Sequence, residues 1–313
     1  MKLTKAYSDS IRLLTRVAPM YWDACAGFRK KKQFYDARTN WVTSLKLFLH
    51  CYAFQRSVFI SQYAEAAKKA VEELLYVNTT ITKGLINKVA QRNDKIVSEG
   101  KKRIKVNQSH NPLAPNGSVL SLCNEIPHKN LLAWTLDSLH RGNIQEVADG
   151  LCSVRGIGYK IAAFWIRDVA EAFNVSLKKL EEPSYSQPID VWVYRFIRAV
   201  ARTARTNLPR DLAFYTKKSY WAAAELMIEA ADQAGVRHTA LNQAVWYYSS
   251  EWISEWSDFG AAELDIEGEI KWDKLFSTPR ALQANLKKVG DFCKTHKKEY
   301  SWAASWGKVV GRT

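Results

Sequence analysis

Cysteine is sparse. Cys25, Cys51, Cys123, Cys152 and Cys293 are the only five in 313 residues, and no two have CxxC spacing. A locally encoded zinc site or iron–sulfur cluster is therefore excluded, and reduced thiols in a cytosolic-type compartment are expected rather than a disulfide scaffold. The six histidines show no metal-ligand spacing either. No run approaches about 18 uninterrupted apolar residues, and the opening "MKLTKAYSDSIRLL" lacks the apolar stretch of a secretory signal. A soluble, intracellular chain without a membrane partner is the expectation. Acidic side chains are the minority: 31 Asp+Glu stand against 46 Lys+Arg, a formal net charge of +15. Such an excess suits a polyanionic partner, because each phosphate neutralised by Lys or Arg releases a condensed counterion. A basic protein of no special partner would carry the same sum.

Alternating strand patterns are scarce, and helical periodicity dominates. Residues 40–75 predict one or two helices, with Trp41, Leu45, Phe48, Leu49 and Tyr52 on one buried stripe. The stretch "EGKKRIKVNQSHNPLAPNGS", 99–118, predicts a long polar loop or hairpin outside the core. Helical patterning resumes at Asn130, and 143–151 predicts a short helix feeding a glycine turn. From Tyr159 to Phe173, Ile161, Trp165, Val169 and Phe173 recur every four residues, which assigns Trp165 to the core. A connector with two prolines covers 174–188. A helix then begins near Asp190 with Val193, Ile197 and Val200 inward. The next ends at Gly235 as a C-cap, and another follows a start signal at Thr239.

The stretch that carries chemistry is "SVRGIGYKIAAFWIRD", 153–168. Val154, Gly156, Ile157, Gly158, Lys160 and Ala162 form a hydrophobic-x-Gly-hydrophobic-Gly-x-Lys-x-Ala pattern between two helices. Glycine permits a tight reversal with positive φ and a close backbone approach from outside. The amides opening the second helix, backed by its dipole, can hold one DNA phosphate without reading a base. A dinucleotide fingerprint is excluded, since Ile161 occupies the third glycine position and a helix precedes the turn. A glycine-tightened helix corner is the plain structural alternative.

"QPIDVWVYRFIRAV" follows, with Asp190 after a Pro-Ile pair at a helix start. Together the hairpin, the lysine and the aspartate resemble the helix–hairpin–helix (HhH-GPD) DNA glycosylase superfamily over 143–200, and the segment 219–252 resembles its closing helices. Lys160 and Asp190 lie 30 positions apart, and that stretched interval looks nearest to the archaeal-type 8-oxoguanine DNA glycosylase/lyase branch. The cysteine cluster of the endonuclease III-like branch is missing. The resemblance implies an all-α, two-lobed fold binding duplex DNA in the cleft between its lobes. It also implies a base swung out of the stack, Asp190 stabilising charge on the sugar, and Lys160 forming a Schiff base at C1′. A helix from 160 to 173 is about 20 Å long, and the connector could span about 50 Å, so chain length permits the two to meet. An Asp at a helix start is equally the pattern of an N-cap, and a Lys after a hairpin that of a phosphate contact.

Further expectations attach to the same resemblance. Gly156, Ile157, Gly158 and Tyr159 would contact DNA through the hairpin, with Arg56, Lys101, Lys102 and Arg103 adding charge. Gln55 and Arg56 are candidates for filling the gap left by the flipped base, and Gln55, Trp192 and Tyr194 for the base pocket, where Trp192 or Tyr194 could stack on the extruded base. No cofactor or metal is expected, and a monomer acting in a prokaryotic, nucleoid-associated cytoplasm is the implied setting. Four pieces are expected: 1–118, a catalytic lobe over 119–218, closing helices over 219–260 that join the N-terminal segment, and a tail over 261–313. Two alternatives stay open. The same chemistry could be directed at hypermodified cytosine, such as glucosylated hydroxymethylcytosine, in phage DNA as antiviral defence. The chain could instead be a non-catalytic module that binds DNA structure.

Overall fold

A computed structural model describes residues 2–24, 31–54, 60–100, 110–177, 183–204, 217–249, 278–284 and 286–287. It is all-helical, with no strand among the described residues. In chain order the α-helices are α1 (Lys5–Thr15), α2 (Met20–Ala24), α3 (Lys31–Arg38), α4 (Trp41–Phe48), α5 (Ile60–Leu74), α6 (Lys83–Glu99), α7 (Val119–Glu125), α8 (Leu131–Arg141), α9 (Ile144–Cys152), α10 (Tyr159–Ala172), α11 (Val191–Thr203), α12 (Lys217–Ala234) and α13 (His238–Tyr247). A π-helical turn, Leu49–Ala53, continues α4, and a 3-10 turn covers Pro183–Ser186. No described helix is long and apolar enough to cross a membrane.

Local chemistry sets the helix ends. Side-chain oxygens of Thr4, Asn40, Thr82, Ser118, Asn130 and Asp190 accept first-turn amides of their helices, answering donors that no carbonyl within the helix can reach. Gly142 (φ 86°) and Gly235 (φ 68°) end α8 and α12 in the left-handed region, Gly235 as expected. The Val236 amide then reaches back to the Ala231 carbonyl at 3.0 Å. α13 departs from expectation in detail. Its N-cap is Arg237, and Thr239 is buried inside the first turn rather than preceding it.

The chain divides into two compact units, Phe28–Pro188 and Met1–Gly27 with Ile189–Thr313. Within the first unit α3, α8, α9 and the π-helical turn pack on α10. That helix is buried on all sides from Ile161 to Ala172, so the single stripe read from its sequence understates it. Trp165 is fully buried, as expected. Phe34, Phe48 and Tyr52 surround it at ring-centroid distances of 6.1, 5.4 and 5.2 Å, and its indole donates to Thr135 Oγ1 at 2.8 Å. The stripe Trp41, Leu45, Phe48, Leu49 and Tyr52 is buried throughout.

In the other unit α1 packs on α12 and α13. The Leu3 amide donates to Gln233 Oε1 and Arg12 Nε to the Ala234 carbonyl, each at 2.8 Å. Val193, Ile197 and Val200 of α11 are fully buried, as the periodicity predicts.

Candidate active site

The glycine turn joins α9 to α10 within the 28–188 unit. Only one of its two glycines needs to be glycine for conformation. Gly156 has φ 79°, whereas Gly158 has φ −116° and ψ 176°, ordinary extended backbone. The backbone that closes on Gly156 is the chain's own. A Cβ there would lie 2.5 Å from the His110 carbonyl oxygen. The Arg155 amide donates to the Gly117 carbonyl at 2.8 Å, so 110–118 is docked on the turn. For 110–118 this corrects the expectation of a loop outside the core, while 101–109 lie outside the described residues. Asn111, Leu113, Ala114 and Ser118 are buried, with Asn111 Oδ1 accepting the Leu113 amide at 3.0 Å. Composition hid this, because the polar residues there satisfy their own backbone.

Gly156→Ala therefore meets two penalties, a left-handed φ of about 1–2 kcal/mol and a backbone clash that cannot relax cheaply. Thermal melting is expected to fall measurably, with faster proteolysis within 110–118. An unchanged melt and unchanged cleavage would show that the docked segment yields freely.

Gly158 caps α10, its carbonyl accepting the Ile161 and Ala162 amides at 2.9 and 3.1 Å. Tyr159 and Lys160 follow, both half-buried, in the first turn of a 14-residue helix whose dipole is positive at this end. The Lys160 ammonium lies 5.9 Å from the ring centroid of Phe164, one turn along. Ile157 is buried, so its side chain serves the core and any contact made there runs through backbone. The 3-10 turn Pro183–Ser186 packs on α10. The Tyr185 ring lies 6.5 Å from that of Tyr159, beside the lysine.

Asp190 belongs to the other unit and opens α11. It is 6% exposed. Its Oδ1 accepts the Trp192 amide at 3.0 Å and the Val193 amide at 2.9 Å, so the N-cap role is present. Trp192 is half-buried with the Arg195 guanidinium 5.1 Å from its ring, whereas Tyr194 is buried. Of the two aromatics, Trp192 offers the more open face. Gln55, Arg56, Lys101, Lys102 and Arg103 lie outside the described residues.

No protein-family model matches the chain, and no curated protein or solved structure matches it.

The sequence reading missed a buried ionic group on the lysine's own helix. Arg167 and Asp168 are both fully buried. Arg167 Nε and a terminal guanidinium nitrogen donate to Asp168 Oδ1 at 2.9 and 2.8 Å, and the Tyr52 hydroxyl donates to Oδ2 at 2.9 Å. The same guanidinium lies 4.8 Å from the Phe164 ring centroid, so one ring is shared by Arg167 and Lys160. Two adjacent opposite charges between the apolar residues Ile161–Ile166 and Val169–Ala170 were the available signal. Burial pushes the Cys123 thiol up to about 12, which removes it as a nucleophile. His50, in the π-helical turn, is held below its ordinary pKa by burial, which outweighs Glu65 Oε2 at 3.5 Å.

Proposed function

We propose that the protein is a bifunctional DNA glycosylase/lyase of the helix–hairpin–helix kind, acting on duplex DNA with a damaged or modified base, 8-oxoguanine first among them. The observation that carries the proposal is the setting of Lys160. It is a half-buried amine in the first turn of a helix, directly after a glycine-closed reversal and above an aromatic ring. The positive helix end and partial desolvation work toward the neutral amine that a nucleophile requires, against the Phe164 ring, which favours the charged form. Asp190 is the acidic partner, five residues after Tyr185 along the chain.

In this mechanism the Lys160 amine attacks C1′ of the extruded nucleotide. A C1′–N bond forms as the glycosidic bond breaks, and the base departs with the electron pair and takes up the proton that the attacking amine releases. The Asp190 carboxylate stabilises positive charge growing on the sugar. Ring opening gives an imine. Loss of a C2′ proton then expels the 3′ phosphate by β-elimination. Water then hydrolyses the imine, releasing the opened sugar and restoring the Lys160 amine, so the groups consumed come from the chain, the substrate and water.

Borohydride trapping on an abasic-site duplex tests this directly. The native chain is expected to give a covalent adduct and a cut strand, and Lys160→Ala neither. An adduct retained in Lys160→Ala would sink the Schiff-base role, and an uncut strand with the native chain would leave a binding module. A panel carrying 8-oxoguanine, uracil, alkylated purines and glucosylated hydroxymethylcytosine then assigns the base and separates repair from antiviral defence.

A further inference from the structure

The connector between α10 and α11 contains a turn whose geometry is fixed from within. In Pro183–Ser186 the Ser186 hydroxyl donates to the Pro183 carbonyl at 2.7 Å, and the Gln187 amide donates to the Ser184 carbonyl at 3.0 Å. Gln187 Nε2 donates in turn to Ser186 Oγ at 3.2 Å, and both residues are fully buried. Pro183 and Pro188 stiffen the two ends. The turn packs on α9 and α10, the helices that the hairpin joins, and all of these residues belong to the 28–188 unit. Tyr185 is half-buried on this turn, whereas the three residues after it are enclosed. The Tyr185 and Tyr159 ring centroids are 6.5 Å apart at an interplanar angle of 43°, so these two rings do not stack face to face. Tyr159 and Lys160 diverge by about 100° around α10. A ring held against Tyr159 is thus set beside the lysine's position on the helix.

We infer that Tyr185 is a platform for the extruded base, its ring stacked on the heterocycle while Lys160 meets C1′ of the same nucleotide. The inference rests on the glycosylase reading above and gives the long connector a task, that of carrying an ordered aromatic ring to the side of the amine. Attack at C1′ needs the base turned aside from the nucleophile, and a ring beside the lysine receives it there. A turn held by its own hydrogen bonds suits this role, because a side chain on an ordered backbone loses less freedom when the base arrives. Stacking of this kind tolerates any base, since every base has a π face. The platform therefore seats a base without selecting it.

The test compares two duplexes, one carrying 8-oxoguanine and one carrying a tetrahydrofuran site, which has the sugar and phosphates but no base. Binding is measured in the Lys160→Ala background, where no Schiff base forms. Adding Tyr185→Ala is expected to weaken the 8-oxoguanine complex by about 5–150-fold, the scale for losing one base–aromatic stack. The tetrahydrofuran complex is expected to stay unchanged, which also shows that the variant is folded. Tyr185→Phe keeps the ring and is expected to keep both affinities. Equal weakening of both complexes overturns the platform, because the ring then only supports the helix that carries the lysine. An unchanged 8-oxoguanine complex overturns it too, and so does Tyr185→Phe behaving as Tyr185→Ala, which assigns the hydroxyl instead. A base-dependent loss alongside a native chain that never cuts abasic DNA would leave the platform standing and remove the glycosylase. Cutting by the native chain, with the 8-oxoguanine complex unmoved by Tyr185→Ala, does the reverse.

Discussion

Asp168→Ala is expected to destabilise the protein by about 3–5 kcal/mol, because it strands the buried Arg167 guanidinium without its carboxylate. The Tyr52 hydroxyl loses its acceptor in the same step. For a unit of this size the melting temperature should fall by roughly 10 °C. The double variant Arg167→Met/Asp168→Leu removes both charges and is expected to recover most of that loss, since a buried pair costs nearly as much desolvation as it returns in attraction. Chemical denaturation of the three proteins decides it. A loss below about 1 kcal/mol in Asp168→Ala would mean that the guanidinium finds another answer to its charge.

Replacing Asp190 separates its structural role from its chemical one. Asparagine caps a helix about as well as aspartate, so Asp190→Asn should keep Oδ1-type acceptance of the Trp192 and Val193 amides. The missing charge at the helix start costs about 0.3–1 kcal/mol. Asp190→Ala loses the cap as well, at about 1 kcal/mol. Excision tells a different story: both variants are expected to slow single-turnover base release by about 10²–10³-fold, the scale for losing one preorganised electrostatic contact to a transition state. If Asp190→Asn excises at the native rate, Asp190 is a cap and nothing more. Trapping on abasic DNA should survive in Asp190→Asn better than base release does, because the abasic sugar is already open to the amine.

The buried ion pair and the glycine turn show where sequence reasoning stops. Arg167 and Asp168 are neighbours along a helix, and adjacent residues do not ordinarily face each other. They meet because the surrounding helices close off solvent on every side of α10, leaving the long arginine chain to fold onto Phe164 and back to its neighbour's carboxylate. Likewise the glycine pattern announced a reversal, and the reversal is there. Nothing in it announced that Gly156 is needed because His110 lies against it. That contact joins residues 46 apart, beyond any local pattern.

Local regularities carried far in this chain. Periodicity placed the helices and their inward faces at Leu45, Trp165, Val193 and Ile197, because an apolar stripe has only one way to leave water. An N-cap pattern marked the start at Asp190, because orphan amides need a nearby oxygen, whereas the start signal at Thr239 fell inside its helix. Only tertiary structure decided that α10 is enclosed on all sides, that residues 110–118 sit on the hairpin, and that the chain divides at Phe28 and Ile189. Each of those depends on which surfaces meet across long stretches of chain. A sequence states which faces are apolar, but not which partner will cover them.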